Sequence, residues 1–183
     1  MQISKSFFAT TILLFVSLTA HASETITVEP DQNSYHHVSH YNVAIEAPAN
    51  AVWPHLIDLG SWMYDFEMSV VSGQAGEEGA VYRLYPEQGF LIQVTSVVPN
   101  NLLVIANLPS TFQGESSTGV GVIRLNEVDG VTYVDLTMSR RYSWPGEGVN
   151  VMKQQRTSRD FKENSRAMWQ GRFLGKLKAL AQQ

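Results

Sequence analysis

The sequence predicts an α+β fold in which one antiparallel sheet of seven strands packs against a single long C-terminal helix, with two short helices after the first strand. Three patterns carry this. A strand-like alternation over Tyr35 to Ala47 leads directly into a proline-started helix. From Met68 to Tyr142, β-rich runs alternate with Gly, Pro and Asn turns. From about Thr157 to Ala181 one apolar stripe recurs at helical spacing.

At 183 residues, with 44% hydrophobic and 16% charged residues, the chain suits one globular domain with a sizeable core and excludes long disorder. A net charge of −4 argues against nucleic acid or an anionic membrane as partner, because a phosphate backbone needs a basic face. The N-terminus has the plan of a secretory signal. Lys5 precedes an apolar run from Phe7 to Leu18, and Ala20-His21-Ala22 offers small residues where a signal peptidase reads. The run is shorter than the ~20 residues of a membrane span, so residues 1–22 are expected to be cleaved after Ala22, giving a periplasmic or secreted protein. Residues 23–34 read as a flexible lead-in and 35–183 as the domain. There is no cysteine, hence no disulfide and no lipid anchor on cysteine.

In the first strand Ser39, Tyr41, Val43 and Ile45 share one face, and Val43 and Ile45 mark it as the buried one. Pro48 suits a first helical turn, followed by Val52, Trp53, Leu56 and Ile57 at helical spacing; Gly60 ends that helix, and Leu59 to Phe66 forms a second short helix or turn. Strands are expected at Met68 to Ser72, Ala80 to Tyr85, Phe90 to Val98 and Leu102 to Leu108. Pro109 to Thr118 reads as a polar loop. Gly119 to Val128 and Val131 to Tyr142 then form a hairpin around Asp129-Gly130, a pair suited to a tight primed turn. In the final helix Thr157 or Ser158 is the candidate cap, and Phe161, Ser165, Met168, Trp169, Phe173, Leu177 and Leu180 form the stripe. Gly171 and Gly175, each costing about 1 kcal/mol against alanine, are expected where the helix approaches the sheet closely.

His36, His37 and His40 invite a metal reading, but in a strand His36 and His40 stand about 13 Å apart and His37 faces the other way, so solvated edge-strand histidines and no metal are expected. Arg140 continues the apolar parity of Val134, Leu136 and Met138. An arginine there anchors a ligand carboxylate or phosphate, pairs with an internal acid such as Glu67, or reaches the rim. No Gly-x-Ser-x-Gly elbow, His-Glu-x-x-His motif, phosphate loop or cysteine nucleophile occurs, so enzyme is not the default and no cofactor is expected.

The order of one strand, two short helices, six further strands and a long helix is the helix-grip order. With Val43-Ala-Ile-Glu-Ala-Pro-Ala-Asn-Ala-Val-Trp-Pro, Leu56-Ile-Asp-Leu-Gly-Ser-Trp62, and Gly76-Glu-Glu-Gly79 followed by Arg83-Leu84, the chain resembles the START-like (SRPBCC) superfamily from about Tyr35 to Leu180. This superfamily is also called the polyketide cyclase/dehydrase and lipid-transport family. The resemblance implies a curved sheet wrapped around the last helix and an interior cavity for a small hydrophobic or amphipathic ligand, lipid-like or aromatic. The alternative within the family is a cyclase- or dehydratase-like enzyme using Asp65, Glu67 and Arg140. The candidate ligand-binding residues are Trp62, Tyr64, Phe66, Tyr82, Arg83, Phe90, Phe112, Arg140, Tyr142, Trp144, Met168 and Trp169. A third possibility, a ligand-free interaction domain, requires the cavity to be filled by its own side chains.

Overall fold

The computed structural model describes residues 25–28, 34–64, 68–84, 90–112, 115–144 and 154–183. The proposed signal segment, 1–22, lies outside them. The strands are β1 (Thr25–Val28), β2 (Ser34–Ile45), β3 (Met68–Ser72), β4 (Val81–Leu84), β5 (Phe90–Val98), β6 (Leu102–Phe112), β7 (Glu115–Val128) and β8 (Val131–Ser143). They form one sheet in the order β1-β2-β8-β7-β6-β5-β4-β3, with every neighbour antiparallel. Two short helices, α1 (Ala49–Ile57) and α2 (Leu59–Trp62), follow β2. The C-terminal helix is continuous over 23 residues. It consists of α3 (Arg159–Arg166), a π-helical stretch (Ala167–Phe173) and α4 (Leu174–Ala181). This is the expected α+β helix-grip architecture with a curved antiparallel sheet.

Two boundaries differ from expectation. Seven strands were expected and eight form, because Thr25–Val28, inside the expected lead-in, pairs with β2 from Thr25↔Ser39 to Val28↔His36. Four residues are too few for an alternation to show, so this strand exists through its partner. The polar loop expected over Pro109 to Thr118 is instead the end of a hairpin, with Ser110↔Ser117 and Phe112↔Glu115 in register. Pro109 falls where the register shifts between Asn107 and Ser110, an irregularity that tolerates a residue lacking an N–H. The other hairpin forms as expected: Asp129 and Gly130 both take positive φ, 52° and 78°, the requirement of a primed turn.

The parity of β2 and β8 holds. Tyr41 and Ile45 are buried on β2, and Val134, Leu136 and Met138 on β8. At the start of α1 the Ala49 N–H donates to the Glu127 carboxylate at 2.8 Å, satisfying a helix-end donor with a charge of the favourable sign. Val52, Trp53 and Leu56 of α1 are buried, and the Trp62 indole N–H donates to the Leu56 carbonyl at 3.0 Å. The α4 end of the long helix rests on α1 and β2 through Leu174 and Leu177, each with no exposed surface. Full burial of each such side chain contributes roughly 1.5–3 kcal/mol.

The helix begins where expected, with Ser158 accepting from the Phe161 N–H at 3.1 Å. The π stretch was not foreseen. Its wider turn, with hydrogen bonds five residues apart, lets Trp169, Phe173 and Leu174 all face inward. Gly171 and Gly175 do not mediate close approach, because a Cβ on either meets nothing within 4 Å. The close approach is at Gly119, where a Cβ would lie 2.8 Å from the Ser139 carbonyl oxygen and 2.9 Å from Arg140 Cγ.

Candidate functional site

Near α3 the helix stands off the sheet and leaves a partly open cavity of about 340 Å³. Its floor comes from the ends of β7 and β8, whose inward parity runs from apolar to polar. Ile123 and Leu125 give way to Ser117 and Glu115, and Leu136 and Met138 give way to Arg140 and Tyr142. Leu84, Phe90 and Asn107 line it from β4, β5 and β6. Tyr64 lines it from the segment after α2, and Phe161, Asn164, Ser165 and Met168 close it from the helix.

One cation in the wall is neutralised. Arg156, in a helical turn at 154–157, donates from Nε and Nη2 to the two carboxylate oxygens of Glu115 at 2.9 and 2.7 Å. The Trp144 indole N–H gives Glu115 a third donor at 2.9 Å. The Arg156 guanidinium also lies 5.0 Å from the Tyr142 ring centre and 4.9 Å from that of Phe161. This paired, stacked arrangement is the kind in which arginine is most strongly held.

Arg140 is placed differently. It lies opposite Gly119 in the β7–β8 register, and that missing side chain leaves room for its stem. Its guanidinium carbon stands 5.4 Å from the centre of the Trp169 ring system. The Nε atom is buried and has no hydrogen-bond partner. Burial works against the charge, but the neighbouring Tyr142 and Tyr64 hydroxyls outweigh it and hold the guanidinium pKa above its ordinary value. No ion pair joins Arg140 to a carboxylate among the described residues. Among the described residues the cavity wall therefore carries Arg140 and Arg156 against Glu115, one positive charge in excess.

Of the residues singled out in the sequence, Tyr64, Phe90, Arg140, Tyr142 and Met168 line the cavity. The other described ones lie elsewhere. Trp169, 1% exposed, is a partition behind the cavity, stacked on Tyr41 and edge-on to Tyr64 and Phe173. Trp62 belongs to the core, as does Tyr82, whose hydroxyl accepts from the Gly76 N–H at 2.7 Å. Trp144 stands behind Tyr142 and reaches Glu115 rather than the cavity. Arg83 is exposed on β4. Asp65, Phe66, Glu67 and the Phe112 side chain lie outside the described residues. The sequence reading missed Glu115, Ser117 and Arg156. Extending the β7 alternation four residues back from Gly119 would have put Ser117 and Glu115 on the inner face. Nothing local marks Arg156.

His36 and His40 face together and donate or accept with Ser139 and Thr137 at 2.7 and 2.9 Å. His37 faces inward and is 4% exposed, not solvated as expected, with its ring stacked on Tyr35. Burial first, and then the positive charges of Lys162, Arg140 and His36, lower its pKa to about 4. It is the neutral imidazole, opposite Arg140 in the β2–β8 register and tilted against Phe161, and does not itself line the cavity.

This architecture belongs to the helix-grip class, and solved structures share it. Ara h 8.0201 superposes with a TM-score of 0.56 at 11% identity, covering 80% of this chain and 97% of that one. Protein CV1439 from Chromobacterium violaceum gives 0.52 at 18% identity, covering 80% and 97%. The Aha1 dimer from Colwellia psychrerythraea gives 0.51 at 20% identity, covering 78% and 94%. Identities this low show a common helix-grip fold and nothing more specific. No protein-family model matches the sequence, and no curated protein matches it significantly.

Proposed function

We propose that this protein is an exported START-like binding protein that holds a small hydrophobic or amphipathic molecule between the sheet and α3. The observation that carries the reading is the unfilled 340 Å³ between the sheet and α3, in contrast to the packed interior under α4. That volume lies within the usual range for small-molecule sites, and Tyr64, Leu84, Phe90, Phe161 and Met168 give it an apolar wall. A self-filled interaction domain would have no such space. Among the described residues the carboxylate in the wall, Glu115, is occupied by Arg156 and Trp144, so it lends no support to the enzymatic alternative. Among the described residues Asp58 is exposed at the junction of α1 and α2.

Titration with the neutral fluorescent probe N-phenyl-1-naphthylamine tests the cavity. Saturable binding is expected in the wild type, and its loss is expected in Ser117→Phe, which fills the floor. Binding that survives the bulky side chain places the probe elsewhere. Export has its own test: N-terminal sequencing of protein from the periplasmic fraction should begin at Ser23, whereas cytoplasmic protein with residues 1–22 intact removes that part of the proposal. Among the described residues no helix is long and apolar enough to cross a membrane.

A further inference from the structure

Resting on the cavity being a ligand site, we infer that its ligand is a monoanionic carboxylic acid, with the carboxylate set on Arg140 and an apolar body against Phe90, Phe161 and Met168. The inference comes from comparing the two arginines that share the wall. Arg156 has a bidentate carboxylate partner within the protein, at 2.9 and 2.7 Å. Arg140 has the same planar donor array, lines the same cavity, and has no carboxylate partner among the described residues. Its Nε is left without an acceptor in a buried position. A buried guanidinium with incomplete hydrogen bonding is costly to the folded protein, and an acceptor of matched geometry removes that cost. Tyr64 and Tyr142 contribute hydroxyl hydrogen bonds to it, not a carboxylate.

The charge count selects among acids. Among the described residues two cations and one carboxylate leave a single excess positive charge, which one ligand carboxylate balances. A phosphate monoester brings nearly two negative charges into a wall that already contains Glu115. A neutral alcohol supplies an acceptor but leaves the charge uncompensated. The wall has both aromatic and aliphatic members, so the shared chemistry is the carboxylate, and the body is either an alkyl chain or a fused aromatic ring.

Calorimetric titration of the wild-type protein with matched pairs separates these cases: decanoate against decan-1-ol, 2-naphthoate against 2-naphthylmethanol, and decyl phosphate as the dianion. In at least one pair the acid should bind about ten- to a hundredfold more tightly than its alcohol, the range expected for a charge-assisted hydrogen bond in a shielded site. Decyl phosphate should bind more weakly than decanoate. Arg140→Met should remove the preference for acid while leaving alcohol binding intact, and Arg140→Lys should restore part of it. Equal affinity for acid and alcohol in the wild type overturns the inference and leaves the cavity reading standing, as does phosphate binding more tightly than the carboxylate. A large loss of thermal stability in Arg140→Met with the preference for acid unchanged also overturns it, making Arg140 a structural residue. If neither acids nor alcohols bind, the cavity reading itself falls.

Discussion

The long helix crosses two very different environments. At its α4 end Leu174 and Leu177 press against α1 and β2, and Ile45, Val52, Leu56 and Trp62 around them are fully buried. At its α3 end the same sheet presents Arg140, Tyr142, Ser117 and Glu115, and 340 Å³ remains open. Trp169 stands at the boundary, contacting Tyr41 and Phe173 on the packed side and the cavity-lining Tyr64 and Arg140 on the other. One element thus serves as a core helix and as a cavity wall, because β7 and β8 change from apolar to polar along their inner face. Stability is concentrated at one end and recognition chemistry at the other, so substitutions at the two ends should separate the two properties.

Trp169→Ala offers the largest effect. Deleting a buried indole from the partition should cost roughly 3–5 kcal/mol in chemical denaturation and open the packed end into the cavity. A loss under about 1 kcal/mol would show that the interior collapses around the deletion and that the two ends are not distinct. Next is Glu115→Ala, which leaves Arg156 and the Trp144 indole without their acceptor. We expect a loss of about 1–3 kcal/mol, with a cavity that attracts anions more strongly than before. An unchanged denaturation midpoint would mean that the Arg156 pair contributes nothing beyond an ordinary surface contact.

Gly119→Ala should act locally. The new Cβ meets the Ser139 carbonyl and the Arg140 stem, so Arg140 must move. Stability should fall by about 1–3 kcal/mol, and affinity for a carboxylate probe should fall with it, measured by calorimetry. Unaltered affinity would detach Arg140's placement from binding. The last effect appears only in acid. His37 has a folded-state pKa of about 4, against 6.5 for the ordinary imidazole. Between those values the unfolded chain takes up a proton that the folded protein refuses. Stability therefore declines as pH drops through that window, and His37 adds no pH dependence above it. His37→Phe, which keeps the ring against Tyr35, should flatten the midpoint's pH dependence between 6.5 and 4; an unaltered slope assigns the acid sensitivity to other groups.

How far the sequence could be read depended on whether a residue's neighbours in the chain define its surroundings. Alternation in Val134, Leu136 and Met138, extended by two steps, was enough to turn Arg140 and Tyr142 inward, and both line the cavity. Trp62, Tyr82 and Trp169 lie in the core and not along the cavity for one common reason. An aromatic side chain is equally suited to a core and to a pocket, and only the position of the opposing element decides between them. Glu115 was hidden by Pro109 and the surrounding Ser and Thr residues, whose loop-like composition masked a strand that pairs through Phe112↔Glu115. The π stretch left no mark because Ala167–Phe173 contains ordinary helix formers and a glycine, and its width answers to the burial of Trp169, Phe173 and Leu174 together.

The amino-acid order by itself determined the succession of elements from β2 onward, the inward faces of β2 and β8, the primed turn at Asp129-Gly130, and a helix start capped at Thr157 or Ser158. Each follows from interactions within a few residues, where steric limits and side-chain periodicity act without reference to the rest of the chain. Only the tertiary structure decided that Thr25–Val28 joins the sheet, that Arg156 reaches Glu115, and that the space beside Trp169 stays open while the space beside Leu177 closes. Those outcomes rest on contacts between segments far apart in the chain, and no local pattern records the distance at which two packed surfaces finally meet.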